Sequence, residues 1–343
     1  MIGPAVAAST DRSAGAGQDW IDAMRAGEFD RAWAISDRDL ARLWAPGGDK
    51  HLGPRHLQRI WRGEELRGRS VLVRCYHGLG DTIQFIRFMP ALRAIARGVT
   101  VWCQPPLLAL ISRADGVDRA IPLHNGVPDV EFDVDIEIME VPHAIRANRD
   151  HIALQRPYLS LSPTTVRFRE RIGGQTAVGL VWEVGAWDKR REIPVAELQR
   201  LGGANIDLYS LQRGPGAAMA PTIGARDIST VDICLLGQRM AQLDLVICVD
   251  TMVAHLAGAL GLDVWILLHA DCDWRWPASG ERSIWYPTAR LFRQRKPGDW
   301  SPVIEQVENA LSHRSESAIT AASVDLAVGG SAASTSSIAG NRR

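Results

Sequence analysis

Apolar positions along the chain fall into two patterns. Short blocks rich in Val, Ile and Leu alternate with stretches whose apolar residues recur every three or four positions, the marks of buried strands and amphipathic helices. A first series begins with a strand at 70–76 (SVLVRCY) and a helix over 81–96, with Ile83, Ile86, Met89 and Leu92 or Ala94 as its buried stripe. A strand at 99–103, a short helix at 106–113, and strands near Ala120 and at 134–138 follow. A second series has strands at 177–182, 206–211, 243–249 and 263–268, with helices at about 195–201, 231–242 and 252–260 between them. Each series has the βαβ rhythm of an open parallel sheet. The fold class expected is therefore α/β, two Rossmann-like parallel-sheet units in tandem joined near 157–175.

The ends differ from this middle. Residues 1–18 are small and polar and are expected to be disordered, as is the Ser-, Ala- and Gly-rich tail 314–343, which has too little apolar surface to offset its ordering entropy. Residues 19–60 are expected to form a helical stub, with Trp20, Met24, Phe29, Ala32 and Trp33 on the apolar faces of a hairpin turning at Gly27. The expected units are then 61–165 and 166–313. The most apolar window, 253–270 (VAHLAGALGLDVWILLHA), approaches bilayer-spanning length, but Gly261 and Asp263 interrupt it, so it reads as helix, turn and buried strand rather than a transmembrane segment.

Composition narrows the function. Of 343 residues, 46% are hydrophobic and 23% charged, a globular composition. Lys plus Arg equals Asp plus Glu at 39 each, which calls for neither nucleic acid nor an anionic membrane as partner. The five cysteines form no CxxC pair, and the first residues lack a basic n-region and a long apolar core. A reduced, cytoplasmic protein is the expectation.

Ligands of open parallel sheets bind outside the carboxyl ends of the strands, so motifs there carry the weight. HGLGD (77–81) follows a strand and opens a helix: Gly78 and Gly80 permit a tight turn and close approach of a ligand, while Asp81 reads equally as a helix cap. VDTMVAH (249–255) lies at a similar junction, with Asp250 and Thr251 as caps or ligand contacts and His255 a turn later as a contact or a core histidine. In WDKRREIP (187–194), Lys189, Arg190 and Arg191 suit a diphosphate or a solvated loop. In SLQRG (210–214), Gln212 reads a base or ribose or caps a turn. Asp271 and Asp273 form a DxD near His269, but nothing else lies at metal-ligand spacing, so no metal is expected. Trp274 and Trp276 read as packing residues, and GxSxG, HExxH and P-loop motifs are absent.

Taken together, the segments GLGDTIQFIRFMP (78–90), VGLVW (178–182), RREIP (190–194), SLQRG, DLVICVDTMVAHLAGALG (244–261), WYPTARLFRQ (285–294) and PGDW (297–300) resemble glycosyltransferase family 9, the ADP-heptose lipopolysaccharide heptosyltransferases. The closer likeness is to the branch attached to tetratricopeptide-repeat proteins, and GEFDRAW (27–33) looks like the end of one repeat, with no second copy in the chain. The resemblance implies a GT-B fold, with the first unit taking the acceptor and the second the donor. It implies inverting, metal-independent transfer from a nucleotide-sugar, ADP-heptose being one candidate, to a glycan or protein acceptor, without a cofactor. Carried onto this chain, it makes Asp81 the catalytic base. Donor contacts would be Asp250, Thr251, His255 and Lys189 or Arg191, joined by Gly78, Gly80 and Gln212 from their positions at strand ends. The chain departs from the family pattern at Met252, and at Glu183 and Val184 after the Trp of VGLVW. Two alternatives accompany this reading: a non-catalytic nucleotide-sugar-binding module of the same fold, and a GT-B-type sugar epimerase.

Overall fold

The computed structural model describes residues 11–48, 54–55, 58–163, 167–168, 175–185, 188–203 and 205–314. The expectations for residues 1–10, Trp187 and the tail beyond Arg314 fall outside these, as does most of the expected junction at 164–174.

Two helices, α1 (Asp11–Ala26) and α2 (Phe29–Trp44), open the chain. Gly27 joins them at φ 73°, a left-handed conformation that favours glycine. Helix α1 begins at Asp11, inside the stretch expected to be disordered.

The first sheet comprises β1 (Ser70–Arg74), β2 (Gly98–Cys103), β3 (Arg119–Pro122) and β4 (Val134–Glu137) in the order β3-β2-β1-β4, all parallel. Between them run α3 (Leu79–Phe85), α4 (Met89–Ile95) and α5 (Leu108–Ile111). The single helix expected over 81–96 is broken: a 3-10 turn at Ile86–Phe88 separates α3 from α4. Pro90 sits in the first turn of α4, where its missing N–H leaves no bond unmade. Two short helices, α6 (Val141–Ala144) and α7 (Arg149–Ile152), follow β4, and the chain then crosses to the second unit, Tyr158 and Leu159 both donating backbone N–H to Ala259 O.

The second sheet holds β5 (Thr176–Val181), β6 (Ile206–Ser210), β7 (Arg226–Asp227), β8 (Leu245–Val249), β9 (Val264–Leu268) and β10 (Ala289–Arg293), in the order β10-β9-β8-β5-β6-β7 and again all parallel. Its main helices are α8 (Val195–Leu198), α9 (Ile233–Met240) and α10 (Met252–Ala259), and residues 301–314 close the unit as a last helix. Arg314, expected to begin the free tail, ends this helix and pairs with Asp263 at 2.7 Å. The apolar window 253–270 is helix, turn and strand, and no helix among the described residues is long and apolar enough to cross a membrane.

Both faces of the second sheet are apolar, as parallel sheets require. Leu245, Ile247 and Val249 of β8 face one core with Trp265, Leu267, Val303 and Ile304. Val246 and Cys248 face the other, which runs on through α10 into the first unit and the helical pair. Arg87 crosses this second core: its guanidinium donates to Ile152 O (2.8 Å), Trp285 O (2.9 Å), Gln84 O (2.9 Å) and the Tyr158 hydroxyl (3.0 Å). It lies over the rings of Tyr158, Tyr286 and Trp285, 4.5–5.1 Å from their centroids. The helical pair docks on both units. Trp33 Nε1 donates to Ala147 O at 2.7 Å, Trp20 meets Trp274 edge-on at 5.0 Å, and Arg25 donates to Cys272 O at 2.6 Å.

Candidate active site

The turn after β1 leads through Tyr76, His77 and Gly78 into α3. Asp81 folds back so that its Oδ2 accepts the Gly78 N–H at 2.9 Å, a reach-back cap of the helix start. The Gly78 amide at this turn is thus met by the chain's own carboxylate. The other oxygen, Oδ1, is bound by the guanidinium of Arg275, which arrives from the second unit. The Asp81 side chain remains 22% exposed.

Opposite α3 stands the start of α10. Thr251 caps it, Oγ accepting from Val253 N at 3.3 Å. The two helices touch at Gly80: a Cβ there would lie 2.8 Å from His255 Cδ2 and 3.4 Å from Met252 Cα, so the approach demands glycine. His255 is buried, its Nδ1 2.8 Å from the Tyr286 hydroxyl and its ring stacked on Trp276 at 5.8 Å. Burial, then the nearby Arg275, Arg87 and Arg191, hold its pKa well below the usual imidazole range, so it sits neutral in the joint between units.

Asp250 is buried beside it, Oδ1 lying 3.9 Å from His255 Nε2, and its backbone oxygen accepts from Arg191 Nη1 at 2.7 Å. Burial foremost, and then Asp273, push the Asp250 carboxyl up to about 6, with Arg191 opposing. The ordinary value is 3.8, so the folded protein holds this proton more tightly than the unfolded chain. Stability attached to it is full below about pH 4 and is lost as pH rises through about 6. Asp250→Asn removes that titration. Its stability relative to wild type should therefore be higher at about pH 8 than at about pH 4, by roughly 2 kcal/mol, when urea melts are compared at both values. A difference that does not change with pH would mean that Asp250 does not titrate in this range.

Of the three cations after β5, only Arg191 turns to α10. Lys189 is 61% exposed and pairs with Glu192 at 2.5 Å. Arg190 bridges Asp188 (2.8 Å) and Asp271 (3.1 Å). Gln212 is buried and bonded to backbone: Oε1 accepts from Trp182 N (3.0 Å) and Glu183 N (2.9 Å), and Nε2 donates to Arg213 O (2.7 Å). It clamps the chain just beyond the ends of β5 and β6. Close by, the Glu183 carboxylate lies over Gly216, where an added Cβ would meet Oε2 at 2.2 Å. The DxD carboxylates also have arginine partners, Asp271 with Arg190 and Asp273 with Arg275 at 2.8 Å. Among the described residues no three His, Cys, Asp or Glu side chains gather in a way that would hold a metal ion.

The structure thus brings Asp81, Gly80, Arg191, Asp250, Thr251 and His255 to one joint, and leaves Lys189 and Gln212 on other partners. Arg275 and Gln84 join the site although they were not singled out from the sequence, and Asp273, read there as part of a DxD, joins it as a partner of Arg275. The one sign was an arginine between two tryptophans in DWRW, where a cation needs a buried counter-charge.

No protein-family profile matches the chain. Protein FlbA of Caulobacter vibrioides is 23% identical over 290 residues, 73% of this chain and 48% of that protein, so the chain spans about half the length of this curated relative. A solved glycosyltransferase family 9 structure from Veillonella parvula superposes with a TM-score of 0.50 at 12% identity, covering 75% of this chain and 99% of that one. E. coli ADP-heptose LPS heptosyltransferase II superposes with a TM-score of 0.49 at 15% identity, covering 72% and 99%. The expected architecture of two facing parallel-sheet units, of GT-B type, is the observed one, and it is the fold of the Veillonella structure.

Proposed function

We propose that the chain is an inverting, metal-independent glycosyltransferase that takes a nucleotide-sugar donor, with Asp81 as its general base. One observation carries this reading. The start of α3, which carries Asp81, packs at Gly80 on the start of α10, which carries Thr251 beside the Arg191–Asp250 pair, and both starts follow the carboxyl ends of parallel strands. Residues 61–165 then serve the acceptor and 166–313 the donor. The sequence likeness to the heptosyltransferases agrees with a sugar diphosphate nucleotide as the donor class. The described cysteines are all free, in keeping with a reducing, cytoplasmic setting.

The chemistry follows from the two sides. Each Asp81 oxygen accepts one protein hydrogen bond and keeps lone-pair capacity for a substrate hydroxyl. Asp81 takes the proton of an acceptor hydroxyl as that oxygen attacks the anomeric carbon, opposite the departing nucleotide diphosphate. The bond from the anomeric carbon to the leaving phosphate oxygen breaks, and configuration inverts. Arg191 and the amides at the start of α10 stabilise the charge that develops on the diphosphate. These groups supply the positive charge that a metal ion would otherwise bring.

A nucleotide-sugar panel tested by calorimetric titration examines the donor assignment. One donor should bind, and Asp250→Ala should weaken it about 10-fold or more, the loss expected for a charged hydrogen-bonding contact. Transfer in EDTA should proceed at the same rate. Loss of transfer restored by magnesium or manganese would overturn metal independence. A second reading, a binding module without turnover, is favoured by the Glu183 carboxylate over Gly216 and by the backbone bonds of Gln212, both on the donor side. It expects a bound donor and no transfer to any acceptor.

A further inference from the structure

The loop from Asp271 to Trp276 reaches both sides of the joint: Arg275 binds Asp81 and Gln84 of α3, and Trp276 stacks on His255 of α10. Arg275 is its centre: 8% exposed, it is a guanidinium taken out of water and held by three acceptors. Nε donates to Gln84 Oε1 at 2.6 Å, Nη1 to Asp273 Oδ1 at 2.8 Å, and Nη2 to Asp81 Oδ1. The rings of Trp274 and Phe85 flank it at 4.6 and 5.7 Å. Two of the three acceptors, Gln84 and Asp81, lie one turn apart on α3 of the opposite unit.

We infer that Arg275 is a positioning residue for Asp81: it fixes the carboxylate's orientation across the joint so that the remaining lone pairs face the acceptor hydroxyl. This rests on the transferase reading given above. The geometry supports it in two ways. With Gly78 N–H on one oxygen and the guanidinium on the other, rotation of the carboxyl group is blocked from both ends. The planar fork of arginine then sets an angle that the point charge of lysine cannot reproduce. Second, the loop is itself anchored away from the reaction: Cys272 O is held by Arg25 of α1, Trp274 by Trp20, and Asp271 by Arg190. Arg275 therefore reaches Asp81 from a fixed base, and the helical pair is part of what fixes it.

Arg275→Ala and Arg275→Lys test the assignment. In Arg275→Ala, kcat should fall about 10²-fold, the loss associated with roughly an ångström of misplacement, while donor affinity stays near wild type. Added guanidinium ion should restore part of the rate, and added ammonium ion should not. Arg275→Lys retains the counter-charge for Asp81 and Asp273 and serves if the alanine variant does not fold; it too should lose kcat without losing donor affinity. Wild-type kcat in Arg275→Lys overturns the inference. So does a rate loss matched by lost donor binding and indifferent to guanidinium. If the wild type transfers no sugar from any donor, the transferase reading falls, and amide hydrogen exchange still decides the positioning role. Faster exchange at Gly78 in Arg275→Lys, with α10 protection unchanged, supports it; unchanged exchange at Gly78 overturns it.

Discussion

Asp81→Asn is expected to stop sugar transfer while sparing the donor. A general base contributes about 10²–10⁴-fold to rate, and asparagine cannot take the proton. Turnover should fall by that factor, and the donor dissociation constant should stay near wild type, because Asp81 stands on the first unit and the Arg191–Thr251 group on the second. The variant has one oxygen where the wild type has two. Either the Gly78 N–H or Arg275 then loses its acceptor, at a cost of about 1–3 kcal/mol in stability. Initial rates with calorimetric titration beside them separate the effects. Normal turnover in Asp81→Asn would show that the base is another group.

Arg87→Met should produce the largest loss of stability. Arg87 bonds three backbone carbonyls and a tyrosine hydroxyl, drawn from α3, α7, the crossing segment and the second unit. Methionine fills much of the volume but donates nothing, so buried carbonyls lose their partners at about 1–3 kcal/mol each. A loss of at least about 3 kcal/mol is expected, which lowers Tm by about 6 °C or more. Because the residue spans the units, the calorimetric transition should also broaden or split. A Tm within about 2 °C of wild type would show that these carbonyls find water or other donors.

The parts of the fold legible in the sequence were those with local cause. Blocks such as LVICV and VWILL are apolar at successive positions because both sheet faces are covered, and that alone marks buried parallel strands. The break between α3 and α4 was missed, although Pro90 carried the signal, because the apolar stripe continues through it. Strand β7, two exposed residues long, has no pattern to read. At the site, position was legible and partner was not. Asp81 and Asp250 lie at strand-to-helix junctions, which the alternation of elements marks. Asp81's partner Arg275 lies 194 residues away, and no periodicity connects them. Gln212 shows the same limit, since an amide at a strand end serves backbone or ligand equally well until the neighbouring strand is in place. Among three adjacent cations, only the geometry of the short 3-10 turn at Lys189–Arg191 selects Arg191.

The docking of the first helix on the loop near residue 272 also sets an order of events during synthesis. Arg25 and Cys272 are 247 residues apart. At ribosomal rates of about 5–20 residues per second, α1 waits roughly 12–50 s for the segment that covers Trp20 and Arg25. The other side of the hairpin finds its partners sooner, since Ala147, Arg146 and His143 precede the second sheet. In the interval the nascent chain presents a tryptophan-bearing seam to the ribosome's surroundings.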